Sequence, residues 1–177
     1  MDPADRWLAD ARADDLIAER RRAIGLVAAA AESATLTSTL LDLAEHGASV
    51  TAQITTNHSF RGSVVTVGTD FVALTTAAHG VVLIALAALA WVRSETPVTG
   101  EAEPNDKRAV DLLLGEALAR AVADRPHVSL FATGVPAPLS GELISVGIDV
   151  VHVRTDRATG TTAYLALSAL AAAAVSG

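Results

Sequence analysis

The stretch FRGSVVTVGTDFVAL, from Phe60 to Leu74, returns as LSGELISVGIDVVHV, from Leu139 to Val153, 79 residues further on. Both copies keep a glycine at their third place, a Val-Gly-x-Asp and an apolar alternation in step. Alternation with a period of two marks strands with one buried face, and Gly followed shortly by Asp marks the turn between them. Each copy therefore reads as strand, turn, strand. Outward on the N-terminal side lies a further alternating strand, through Val50, Ala52 and Ile54 in one copy and Val128, Leu130 and Ala132 in the other. On the C-terminal side an apolar strand ends in LAAL (Leu86 to Leu89) or LSAL (Leu167 to Leu170). A repeat of this length is two small domains, longer than any solenoid unit.

Helical spacing precedes both copies. Leu36, Leu40, Leu43 and Ala44 share one stripe of a helix expected over 35–46, and Gly47 stops it; Leu112, Leu113, Leu118 and Val122 do the same over 109–122. Turn signals at Asn57-His58-Ser59, Gly68-Thr69 and His79-Gly80 divide the first copy into strands near 49–55, 60–67, 70–76, 80–86 and 88–93. Five more strands are expected up to about residue 173. The segment 94–108, with two Pro, a Gly and mixed charge, is a linker. The expected organisation is thus an N-terminal helical extension (1–34), a first five-strand domain (35–93), the linker, and a second five-strand domain (109–177).

Composition narrows the chemistry. Hydrophobic residues make up 51% of the 177, enough for a core, but aromatics are only 3%, so the interior must be filled by Val, Leu, Ile and Ala. Small domains packed that way tend to lean on each other or to oligomerise. Without cysteine there are no disulfides and no thiolate metal sites. The net charge of −7, with one Lys and twelve scattered Arg, lacks the electrostatic footprint of a nucleic-acid binder. The longest apolar run, Val81 to Val92, holds 12 residues where a membrane span needs about 20, and reads as two buried strands joined by a tight turn. Arg20, Arg21 and Arg22 followed by AIGLVAAAA imitate a signal peptide, but six acids precede them, which points to an intracellular helix and a cytoplasmic protein.

A helix followed by five bent strands, with Gly62 or Gly141 inside the second and Asp70 or Asp149 opening the third, resembles the Sm-like fold of Sm, LSm and Hfq proteins over 35–93 and 109–173. In tandem form the chain also resembles an Ala/Val-rich actinobacterial family sometimes labelled transcriptional regulator, in which no DNA-reading motif is recognisable. The resemblance implies two Sm-like barrels that pair the fourth strand of one with the fifth of its neighbour. It also implies RNA contact from two loops, yet the Asn used for base contact is missing from DFVAL and DVVHV, and the turn between strands four and five is LAAL or LSAL, without a cation. Gly62, Gly68, Asp70, Gly141, Gly147 and Asp149 are accordingly read as fold-defining residues.

No nucleophile elbow, phosphate loop or dinucleotide fingerprint occurs, so an enzyme is not expected, and neither is a cofactor, a metal or a small-molecule substrate. His46 and Asp42 form an i, i+4 pair, but one His at a helix end is ordinarily explained by the helix dipole. Candidate polar or anion contacts are Arg20, Arg21 and Arg22, and the group of Asn57, His58 and Arg61, which the second copy does not repeat. The expected function is assembly with further copies or a protein partner through strand edges; the alternative is an RNA-binding regulator similar to Hfq.

Overall fold

The computed structural model describes Arg20 and residues 34–95, 108–156 and 158–176. Two compact units divide the chain, 1–38 and 39–177. Helix α1 (Leu36–Glu45) begins on a reciprocal cap: the Ser38 amide donates to Thr35 Oγ1 at 3.1 Å, and the Thr35 amide donates to Ser38 Oγ at 2.8 Å. It ends where Gly47 takes a left-handed φ of 59° and the Ala48 amide reaches back to the Leu43 carbonyl. Leu40, Leu43 and Ala44 are its buried face.

The strands are β1 (Ser49–Ile54), β2 (Ser59–Val67), β3 (Phe71–Thr76), β4 (Gly80–Ala85), β5 (Leu89–Ser94), β6 (His127–Ala132), β7 (Leu139–Val146), β8 (Val150–Arg154), β9 (Thr162–Ala166) and β10 (Leu170–Ser176). All ten belong to one antiparallel sheet, ordered β5-β1-β2-β3-β4-β10-β6-β7-β8-β9. The first five strands and the last five thus follow the same internal order. Single turns of 3-10 helix at Leu86–Ala88 and Leu167–Ala169 join β4 to β5 and β9 to β10, at the LAAL and LSAL stretches. The sequence anticipates two tandem barrels. The structure shows the mainly β fold in a coarser form, as a continuous sheet whose two halves repeat.

The repeat extends to irregularities and turns. Register slips between Val64 and Thr66 where β2 meets β3, and between Leu143 and Ser145 where β7 meets β8. Such bulges sharpen local twist. The Gly68 amide donates to the Phe71 carbonyl as Gly147 does to Val150, and Leu86 donates to the Asp70 carbonyl as Leu167 does to Asp149. At Gly62 a β-carbon would stand 2.1 Å from the Thr75 carbonyl oxygen, and at Gly141 it would stand 2.3 Å from that of Arg154. At both glycines the neighbouring strand's backbone occupies the place of a side chain.

The halves meet where β4 pairs with β10, with Ile84 opposite Ala172, Leu83 opposite Ala173 and Val82 opposite Ala174. Side chains of this seam enter both cores. Val82, Ile84, Ala172 and Ala174 join the core built on α1 and β1, together with Phe131 from β6. Leu83 and Ala173 join the core built on β6 to β8, together with Phe71 and Ala73 from β3. A strand covered on both faces reads as a continuous apolar run, and here Ala171–Ala174 are all at most 4% exposed.

Helix α2 (Leu114–Ala121) is shorter than the helix expected over 109–122. Before it, residues 109–113 run extended because the first half claims their backbone: Val110 donates to the Val67 carbonyl and Leu112 accepts from Thr69, each at 3.0 Å. The Leu113 amide is taken by Glu116 Oε2 at 2.9 Å, which sets the first turn. Leu118, fully buried, anchors α2 in the second core.

Two consequences are measurable by chemical denaturation. Gly62→Ala and Gly141→Ala should each lower unfolding free energy by at least about 1–3 kcal/mol, the range for forcing extra atoms into a packed interior. Ala173→Leu should cost a similar amount, about 1–3 kcal/mol, because no face of β10 has room for a larger side chain. Wild-type stability in any of the three would refute the corresponding packing.

Candidate functional site: the open strand edges and the loop groove

Among the described residues, pairing in order leaves two strands of the sheet with one neighbour each, β5 and β9. A strand with an unpaired edge is a template for further pairing unless charge or cover blunts it. On β9, Tyr164 is 69% exposed, with its ring 4.7 Å from that of His152 in an edge-on contact. On β5, Trp91 is 45% exposed, with the Arg93 guanidinium 5.9 Å from the ring centroid. All three Phe of the chain are buried, whereas these two larger aromatics stand on the terminal strands. Exposed Trp and Tyr are enriched where proteins meet partners.

Beside β5 a charged cluster forms around Glu95, which accepts a hydrogen bond from Thr51 Oγ1 and faces Arg61 at 3.3 Å and Arg93 at 3.7 Å. The Thr51 hydroxyl bond, then the charges of Arg61 and Arg93, hold the Glu95 carboxyl below the usual glutamate range. The arrangement gives this edge a polar rim.

Between the halves a groove of about 790 Å³ is lined by both 3-10 turns, the start of α2 and the turns at Thr69–Asp70 and Val146–Ile148. Its polar groups are threonines, Ser168 and two carboxylates, and no Lys, Arg or His among the described residues lines it. Both carboxylates are engaged: Asp70 Oδ1 accepts the Leu114 amide at 2.7 Å, and Glu116 accepts the Leu113 amide. The amide that Asp70 receives belongs to α2, 44 residues away in sequence. With two carboxylates and no cationic side chain among the described lining residues, the groove lacks the charge that draws a phosphate.

The candidate polar contacts separate. Arg61 turns to Glu95, while His58 packs edge-on against Phe131 at 4.7 Å and bonds Thr56 through Nδ1. Asn57 is exposed at a left-handed φ of 65°, a turn role open to Asn. Arg20 is helical and exposed, and Arg21 and Arg22 lie outside the described residues. His46 Nδ1 stands 2.8 Å from the Asp42 carbonyl and 3.4 Å from its carboxylate. Among the described residues no three His, Asp or Glu side chains converge as a metal would require, and no helix is long and apolar enough to cross a membrane.

Trp91, Tyr164, Glu95 and the alanines of β10 escaped the sequence reading as a site. Nothing in a single strand's pattern tells a sheet edge from a sheet interior. No protein-family model matches the chain, and no curated protein matches it.

The depressed Glu95 carboxyl fixes a pH dependence. Its stabilising contribution is present above the ordinary glutamate pKa of about 4.3 and is lost as pH falls through the lower folded-state value. Glu95→Gln should therefore flatten the acid limb of stability against pH and change little at neutrality, where exposed ion pairs contribute weakly. Carboxyl-carbon NMR should place the Glu95 midpoint below that of a free glutamate; a midpoint at or above it would refute the cluster.

Proposed function

We propose that this protein is a non-enzymatic assembly module, built of two tandem Sm-like barrels (residues 35–93 and 109–177), that joins further copies through its open strand edges. The observation that carries this reading is the topology of the seam. By position within its half, β4 is a fourth strand and β10 a fifth, and the edges left over are a fifth strand, β5, and a fourth strand, β9. One chain thus ends in the two surfaces that it has already joined once internally. The exposed Trp91 and Tyr164 on those strands supply apolar area for a second joint.

Repeating the internal register gives the joint a definite geometry. Ala174 of β10 faces Val82 of β4. Their counterparts, 81 residues away in each case, are Arg93 and Ala163, so β5 of one copy would lie along β9 of the next with these residues opposite each other. The glutamate–arginine rim makes such a joint more polar than the alanine-lined seam, which suits a reversible association. Regulatory use of the assembled particle, in the cytoplasm or elsewhere, would follow from what it gathers.

Sedimentation of the full chain over a micromolar concentration series tests the reading. Species larger than one chain are expected, with Tyr164→Lys or Trp91→Lys shifting them toward monomer and leaving the fold intact by circular dichroism. Arg93→Cys with Ala163→Cys should yield disulfide-linked multimers on mild oxidation. A strictly monomeric wild type would overturn the reading. Steeply salt-dependent binding of oligo-U or oligo-A to the particle would instead favour the RNA-binding alternative.

A further inference from the structure

The turns that open β3 and β8 are built alike but covered differently. In the first half, residues 109–113 and the start of α2 lie over the turn Val67–Asp70. The Val67 carbonyl accepts from Val110, the Thr69 amide donates to Leu112, Thr69 Oγ1 donates to Asp111 Oδ1 at 3.3 Å, and Asp70 Oδ1 accepts from Leu114 at 2.7 Å. Gly68 leaves room on two sides, since a β-carbon there would stand 2.2 Å from the Phe71 ring and 2.8 Å from the Leu112 carbonyl oxygen. Leu114, at the first position of α2, is 5% exposed as a result.

In the second half the same turn, Val146–Asp149, keeps its internal bonds, from Gly147 to Val150 and from Leu167 to Asp149. Over it lies none of the described chain in the manner of 109–113. Ile148, at the place of Thr69, is fully exposed, and Gly147 and Asp149 are exposed beside it. A β-carbon on Gly147 would meet only Val150, at 3.1 Å or more: Val150 stands where Phe71 crowds Gly68, and the approach of the Leu112 carbonyl has no counterpart within the described chain. A large apolar side chain in water, a carboxylate placed like a helix-capping acceptor and an uncovered glycine together make a vacant copy of a joint that is filled elsewhere in the molecule.

The complementary piece is also present. Helices α1 and α2 correspond through their buried Leu40 and Leu118, 78 residues apart, which sets Leu36 at the place of Leu114. Leu36 is 42% exposed where Leu114 is covered. We infer that the turn Val146–Asp149 receives the start of α1 from a second copy, with Asp149 accepting the Leu36 amide and Leu36 packing beside Ile148. This inference rests on the assembly reading above and adds a second contact to the strand-edge joint. A carboxylate taking a backbone N–H at a helix start is a charge-assisted bond, stronger than a neutral one.

The test uses the full chain and reads association and folding separately. Asp149→Ala and Leu36→Asp should each weaken self-association about tenfold or more in sedimentation, the effect of losing one charge-assisted hydrogen bond or one buried apolar contact. Gly147→Ala should weaken association likewise, and neither Asp149→Ala nor Leu36→Asp should shift the thermal midpoint of dilute protein. Asp70→Ala, the internal counterpart, should lower that midpoint instead. If wild type assembles while Asp149→Ala, Leu36→Asp and Gly147→Ala associate normally, this inference falls and the strand-edge reading stands. A wild type that stays monomeric at all concentrations defeats both.

Discussion

The fold depends on one contact, the antiparallel pairing of β4 with β10 through an alanine run. Each half has between 60 and 70 described residues, near the lower limit at which a single core sustains itself. The seam removes that limit by exchange. Phe131, Ala172 and Ala174 complete the core of the first half, while Phe71, Ala73 and Leu83 complete that of the second. Neither half holds all the side chains that fill its own interior. Small residues on β10 are what allow this, because bulkier ones would hold the two cores apart.

A second layer of stitching reinforces the seam. The extended residues before α2 bind the turn Val67–Asp70 of the other half, and Asp70 receives the first amide of the helix. The acid that opens β3 therefore acts between halves rather than within its own turn. The interior of the molecule is thus a worked example of how one five-strand unit grips the next: strand edge to strand edge, and helix start to turn. The proposals for β5, β9 and Asp149 extend that grip outward, and what differs at the outer surfaces is their polarity. Alanines line the buried seam, whereas Trp91, Arg93 and Glu95 line the β5 edge.

Much of this was legible in the chain because the repeat aligns glycines and turns whose backbone contacts are local. Gly62 and Gly141, the turns at Asp70 and Asp149, the five-strand sequence in each half and the helix ending at Gly47 all follow from residues near one another. Partnerships over long separations were not legible. The extended course of residues 109–113 was hidden by their helical spacing, since Leu112 and Leu113 suit a helix until the backbone of another strand claims their bonds. The grouping of Asn57, His58 and Arg61 was suggested by their closeness in sequence and undone by side chains that turn to Phe131 and Glu95. The alanine run ending the chain carried the seam, yet composition alone presents it as weakly apolar filler.

Native-state hydrogen exchange resolved by residue addresses the seam most directly. If the halves share their cores through β4 and β10, amides of Val82 to Ile84 and Ala172 to Ala174 should be among the slowest in the chain and should exchange together with both cores in one global opening. Exchange of β4 and β10 well ahead of the remaining strands, with each half opening at its own free energy, would show two independent domains in mere contact and would contradict the account.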